Sequence, residues 1–134
     1  MFISAKKIHF IIGLLLTVQF AMSQNSKINT IQYASFDAYP VYLKEDLGVS
    51  YTANQTTVKL WSPNVEEAKI NLYKQGNGGE IMAVKSLDYD PKTGVWQIAL
   101  DGNYHNTYYT LQVRNKGNWS KEMPDPYAKG VGVN

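Results

Sequence analysis

A chain of 134 residues with no cysteine, 13 basic and 11 acidic residues and a formal charge of +2 has no disulfide staples, no thiol chemistry and no thiolate metal site. The excess charge sits at the N-terminus: without residues 1–23, which carry Lys6 and Lys7 and no acid, 11 basic residues stand against 11 acidic ones. A neutral remainder gives no electrostatic footprint for nucleic acid or an anionic membrane surface.

Lys6 and Lys7 form a positive n-region, Ile8 to Phe20 a mostly apolar h-region, and Ala21-Met22-Ser23 places small residues where a signal peptidase reads. The uninterrupted apolar parts fall short of the roughly 20 residues that a bilayer span needs. Residues 1–23 are therefore expected to be a cleaved secretory signal, with Gln24 as the mature N-terminus. Export to a periplasmic, cell-surface or extracellular location follows, with no membrane contact after cleavage. The 111 residues that remain suit one domain burying about two-thirds of its unfolded surface.

Residues 24–47 show no steady period. Tyr33, Phe36, Tyr39, Pro40, Val41 and Tyr42 fit an extended arm whose aromatics lie over a neighbouring surface better than they fit a helix. Asp46-Leu47-Gly48 turns the chain, and short strands then follow one another. Val49 and Tyr51 alternate with Ser50 and Thr52, and Asn54-Gln55 turns into Thr57-Val58-Lys59-Leu60-Trp61-Ser62-Pro63. In that strand Val58 and Leu60 take the core face and Trp61 the outer one, and Pro63 ends it. A large aromatic off the core implies that something packs there: a partner domain, the chain's own cover, or a sugar.

Ala68, Ile70 and Leu72 next alternate with Lys69, Asn71 and Tyr73 as a half-buried strand, and Lys74 to Glu80, with Gly76, Gly78 and Gly79, is a flexible connection. These glycines lack the lysine of a phosphate loop and the setting of a dinucleotide fingerprint. Ile81 to Leu87 is a less regular strand, and Asp90-Pro91-Lys92-Thr93-Gly94 a strong turn. Trp96, Ile98 and Leu100 then alternate with Val95, Gln97 and Ala99, which places Trp96 in the core, opposite in sense to Trp61. Tyr109, Leu111 and Val113 alternate with Tyr108, Thr110 and Gln112. Asn115-Lys116-Gly117-Asn118 closes a hairpin into Trp119, and Pro124 and Pro126 stop further strand. About seven short strands with turns between them predict an all-β, immunoglobulin-like sandwich. The division is 1–23 signal, 24–47 arm, 48–124 sandwich and 125–134 linker.

Chemistry is sparse. His105 lies among asparagines without a nucleophile or carboxylate partner, so neither a triad nor a metal site is expected. Glu66/Glu67 and Asp88/Asp90 do not form two acids facing across a cleft, as glycoside hydrolysis requires. Asn54-Gln55-Thr56 and Asn118-Trp119-Ser120 match a glycosylation sequon, a short pattern that arises often by chance. No catalytic residue, cofactor or metal is expected. Aromatics are in excess, with 10 tyrosines and 3 tryptophans, and Trp61, Tyr73, Tyr108 and Trp119 are candidates for outer faces or a hairpin tip. Flat rings with polar edges suit sugar C–H faces or a protein partner, and composition does not choose between them.

The succession Asp46-Leu47-Gly48-Val49-Ser50-Tyr51-Thr52, Thr56 to Pro63, Tyr108-Tyr109-Thr110-Leu111-Gln112-Val113 and Asp125-Pro126-Tyr127-Ala128-Lys129-Gly130-Val131-Gly132-Val133-Asn134 resembles the N-terminal part of type I pullulanases. These are debranching enzymes of glycoside hydrolase family 13 that cut α-1,6 links, and the matching region resembles carbohydrate-binding module family 48. The resemblance covers about residues 36–134. It implies a non-catalytic sandwich that docks on a (β/α)8 barrel carrying the catalytic acids, for which this chain offers no matching positions, so the chain by itself is expected to be inactive.

Related glycogen-binding modules place a sugar-stacking tryptophan after a late glycine turn, which Gly117-Asn118-Trp119 matches. They place another in the loop that corresponds to Lys74 to Glu80, where this chain has no aromatic. The resemblance thus implies Trp119 as a contact for α-glucan, weak for want of a second platform. Trp61 with Asp125, Pro126, Tyr127 and Ala128 is the expected docking surface for the barrel.

Overall fold

The computed structural model describes residues 26–77 and 79–129, so the expected signal and its cleavage after Ser23 lie outside the described residues, as do residues 130–134. Eight strands form two antiparallel four-stranded sheets: β1 (Gly48–Tyr51), β2 (Gln55–Trp61), β3 (Glu67–Tyr73), β4 (Ile81–Ser86), β5 (Asp88–Asp90), β6 (Val95–Asp101), β7 (Tyr108–Asn115) and β8 (Asn118–Trp119). The first sheet runs β1-β2-β6-β5 and the second β4-β3-β7-β8. This is the all-β sandwich expected from the alternating pattern.

Directly paired residues share a face of a sheet. Val58 pairs with Ile98 and Leu60 with Trp96, while Ile70 pairs with Leu111 and Leu72 with Tyr109, so these residues form the two inner faces. They meet in one core with Val65, Ala68, Leu87, Tyr89 and Leu100. Trp96 is fully buried, its ring centroid 4.8 Å from that of Tyr89, and its indole N–H donates to the carbonyl of Ser62 at 2.9 Å. That bond satisfies the one polar group such a ring carries into the core.

Sequence predicts one strand from Ile81 to Leu87 and a turn over Asp90 to Gly94. The chain instead changes sheets at Leu87, whose side chain is fully buried and whose N–H donates to the carbonyl of Ala68 at 2.9 Å. Asp88–Asp90 then adds an edge strand to the first sheet, with Tyr89 inward beside Trp96. Asp90 closes the following turn by accepting from the Lys92 N–H at 3.0 Å and the Thr93 hydroxyl at 2.8 Å. Between β7 and β8, Lys116 and Gly117 both have positive φ, at 50° and 76°, the geometry of a two-residue hairpin turn.

The segment from Ser26 to Asp46 is an arm whose one helical piece is a 3-10 turn at Phe36–Ala38. Ser26 bridges to Tyr89 on the β5 edge. Buried Asn29 donates from its side-chain amide to the carbonyls of Pro63 at 2.8 Å and Val65 at 3.1 Å, tying the arm to the β2–β3 corner. The Tyr33 hydroxyl reaches that of Tyr89 at 3.2 Å, and burial raises the Tyr89 phenol above its ordinary range.

Candidate functional site

Trp119 pairs with Arg114 at the start of the β7–β8 hairpin and therefore lies on the outward face of the second sheet. Trp119 is 38% exposed, and the Lys69 ammonium sits 4.0 Å from its ring centroid. An exposed cation on an indole face contributes about 0.5–1 kcal/mol. Around this platform β3 and β7 bring Lys69 opposite Gln112, Asn71 opposite Thr110 and Tyr73 opposite Tyr108. Alternation makes the face: the same strands send Ala68, Ile70, Leu72, Tyr109 and Leu111 into the core.

These outward side chains are bonded to one another. Asn71 is buried although it points away from the core, and its amide donates to Thr110 Oγ1 at 3.2 Å and Gln112 Oε1 at 3.0 Å. Gln112 donates to the carbonyl of Ser120 at 2.8 Å. Glu122 accepts from the Thr110 hydroxyl at 2.7 Å and from the Tyr73 hydroxyl, and these two bonds hold its carboxyl below the usual carboxylate range. At one flank Arg114 pairs with Glu66 at 3.2 Å and Glu67 at 2.9 Å. The result is a flat, polar, pre-bonded surface beside an exposed indole, suited to a ligand with many hydroxyls and an apolar face. In the β3–β4 loop Gly76 lies so close to Tyr108 that a Cβ would stand 2.6 Å from its ring, which brings that loop down onto the same edge of the face.

Trp61 is on the opposite side of the molecule, on the outward face of the first sheet as the alternation requires. The arm lies over it. Its indole N–H donates to the carbonyl of Pro40 at 3.1 Å, and Tyr39 packs edge-on with ring centroids 6.2 Å apart. Val95, its cross-strand neighbour, falls on the outward side by alternation yet is only 3% exposed. Farther along the arm Asp46 accepts from Tyr42 and pairs with Lys59, whose ammonium lowers the Asp46 carboxyl.

The Asp125–Ala128 segment divides in two. Asp125 is buried at 5% exposure; its carboxylate accepts from the Tyr109 hydroxyl at 2.6 Å and the Tyr127 N–H at 2.9 Å. Burial first and that carboxylate second raise the Tyr109 phenol. Pro126 and Tyr127 are exposed and Ala128 half-buried. Tyr127 rests on the first residue of β1: a Cβ on Gly48, whose φ is +87°, would come within 2.9 Å of the Tyr127 Cβ.

Thus the structure groups Trp119 with Lys69, Asn71, Tyr73, Thr110, Gln112 and Glu122, and separates it from Trp61. Period-2 alternation marked Lys69, Asn71, Tyr73, Thr110 and Gln112 as outward, which was the available signal for them. Glu122 lies in irregular chain two residues before Pro124, where no periodicity marks a face.

The family model of carbohydrate-binding module 48 (isoamylase N-terminal domain) matches residues 46–128. The pullulanase of Bacillus subtilis (strain 168) is 32% identical over 104 residues, which cover 78% of this chain and 14% of that protein. A pullulanase from Paenibacillus barengoltzii, solved in complex with maltohexaose and alpha-cyclodextrin, superposes with a TM-score of 0.69 at 30% identity, covering 84% of this chain and 18% of that one. The pullulanase from Bacillus acidopullulyticus gives a TM-score of 0.63 at 29% identity over 69% of this chain and 11% of its own. The chain therefore spans less than a fifth of each of these relatives, and it corresponds to their N-terminal region. With the sandwich, the matched span and these likenesses together, the chain belongs to the carbohydrate-binding module 48 (isoamylase N-terminal domain) family.

Proposed function

We propose that this chain is the non-catalytic N-terminal region of an exported, α-1,6-cleaving pullulanase of glycoside hydrolase family 13, which docks on the catalytic barrel and contacts α-glucan through Trp119. The observation that carries the glucan contact is the Trp119 indole beside the bonded row of Lys69, Asn71, Gln112 and Thr110. A glucan chain laid there meets one stacking ring and a line of amide and hydroxyl groups, which suits its alternation of C–H faces and hydroxyl edges. One platform makes for weak binding. Losing a single aromatic stacking ring costs about 1–3 kcal/mol where flat rings stack on aromatics in other ligands.

Docking on the barrel belongs to the exposed part of the C-terminal segment, Pro126 and Tyr127, since Pro40 and Tyr39 of the arm already cover Trp61. Buried Asp125 serves docking by holding that segment in place through Tyr109 and the Tyr127 N–H.

Calorimetric titration of the chain with maltohexaose, comparing the parent with Trp119→Ala, tests the glucan contact. Weak saturable heat in the parent and its loss in the variant are expected; equal affinities would discard the assignment. Incubation with pullulan and an assay for reducing ends should give no turnover above the buffer blank.

A further inference from the structure

The outward face of the second sheet carries aromatic rings at both ends. At the end of β7 remote from the hairpin, Tyr108 pairs with Tyr73 of β3, and Tyr73 pairs in turn with Ile81 of β4, so three side chains from three strands stand side by side there. Tyr108 is 44% exposed and Ile81 48%, both more open than Trp119. Yet the rings are held. The backbone at Gly76 stands against one edge of the Tyr108 ring, in the space a side chain would need, and Tyr73 is fixed through its hydroxyl to Glu122. A ring braced before a ligand arrives has less freedom to lose on binding.

Spacing gives this second end its meaning. Trp119 is anchored opposite Arg114, and β7 runs from Tyr108 to Arg114 in six steps, about 20 Å at roughly 3.4 Å per residue. The outward residues of β7 between them are Thr110 and Gln112, both bonded to Asn71. Read along the strand, the face is aromatic, then polar, then aromatic. A compact ligand seated on Trp119 does not reach Tyr108. A chain of repeating units, each with an apolar face and a rim of hydroxyls, meets all three parts in order. Joining two weak contacts in one ligand turns the second into an intramolecular event and raises affinity with no change at the first.

We propose that Tyr108 is a second stacking ring of this face, engaged only by a glucan long enough to run from Trp119 along Gln112 and Thr110, so that the chain selects long α-glucan segments over short oligosaccharides. The inference rests on the glucan contact at Trp119 and adds to it the length of the ligand and the residue that reads that length.

Amide-shift titrations of the chain with maltotriose and maltoheptaose test it. Maltotriose should shift residues around Trp119 alone, whereas maltoheptaose should also shift Gly76, Tyr73 and Tyr108. Tyr108→Ala should weaken maltoheptaose about five- to tenfold, the lower part of the range for one stacking ring, and leave maltotriose unchanged. Tyr108→Phe, which keeps the ring, should keep the parent's preference, and Trp119→Ala should weaken both sugars. Bound maltoheptaose should give intermolecular NOEs to the Tyr108 ring protons, which a tyrosine that merely supports the Gly76 loop would not make. These NOEs and the parent's shifts decide the matter if the Ala variant does not fold. Undiminished maltoheptaose affinity in a folded Tyr108→Ala, or no such NOEs while maltoheptaose occupies Trp119, would overturn the second ring and leave the Trp119 contact standing. No saturable shift from either sugar in the parent would overturn both.

Discussion

On the first sheet Trp61 points outward with Pro40 accepting from its indole and Tyr39 edge-on to its ring; on the second, Trp119 points outward with a lysine over its ring and a row of bonded polar side chains beside it. In the sequence Trp61 reads as an aromatic on the outer side of a strand and Trp119 as one just past a hairpin turn, and neither position shows what covers it. They differ because residues 26–46 cross the first sheet and not the second. The outward aromatic of a covered face acts mainly in the chain's own stability, and that of an uncovered face is available to a ligand. Orientation alone therefore does not distinguish an interface from an internal lid contact.

The contrast is broken or sharpened most strongly at Trp61. Trp61→Ala removes the ring under the arm and is expected to cost about 3 kcal/mol, near the lower end for a buried aromatic because this one is half-exposed. Denaturant melts of the chain measure it, and a loss below about 0.5 kcal/mol would mean that the arm's contact is superficial. Asn29→Ala strips the carbonyls of Pro63 and Val65 of their donor and should cost about 2 kcal/mol, with faster amide exchange along the arm. Trp119→Ala should change the same melts by no more than about 1 kcal/mol, since it loses an exposed cation–π contact and no core packing. A cost equal to that of Trp61→Ala would erase the distinction between the two faces.

The smallest effect is in acid. Because the folded Glu122 carboxyl lies below its ordinary 4.5, its bonds to Thr110 and Tyr73 add stability that is complete above that value. The contribution is lost as pH falls through the folded value. Glu122→Gln should flatten that part of the acid limb in urea midpoints measured against pH; an unchanged limb would show that the pair of bonds is not maintained in solution.

Alternation read the inner faces well, since Val58, Leu60, Ile70, Leu72, Trp96 and Leu111 each needed only period 2 within one strand. It failed where the outcome depends on chain far away in sequence. Leu87 changes sheets, which a single-strand pattern does not encode, and Asp88–Asp90 is too short and too polar to read as a strand. Asn29 is buried for the sake of two carbonyls more than thirty residues away, and Val95 is buried although alternation sends it outward. At the candidate site, the outward parity of Lys69, Asn71 and Gln112 was legible, but the burial of Asn71 and the arrival of Glu122 arise from neighbouring strands. Asp125 was legible only as part of a motif; its inward turn toward Tyr109 requires the packed sandwich.

The contact between Gly48 and Tyr127 brings the first residue of β1 and the last described turn of the chain to one spot, near enough that a methyl group on Gly48 would collide with the tyrosine. The stretch from 48 to 128 thus leaves and re-enters its surroundings through a single narrow doorway. The arm hands over to the sandwich at the spot where the chain later leaves it, so strain introduced at either end is felt at the other. Gly48 guards that spot, because another residue would both strain at its φ of +87° and force the two ends apart.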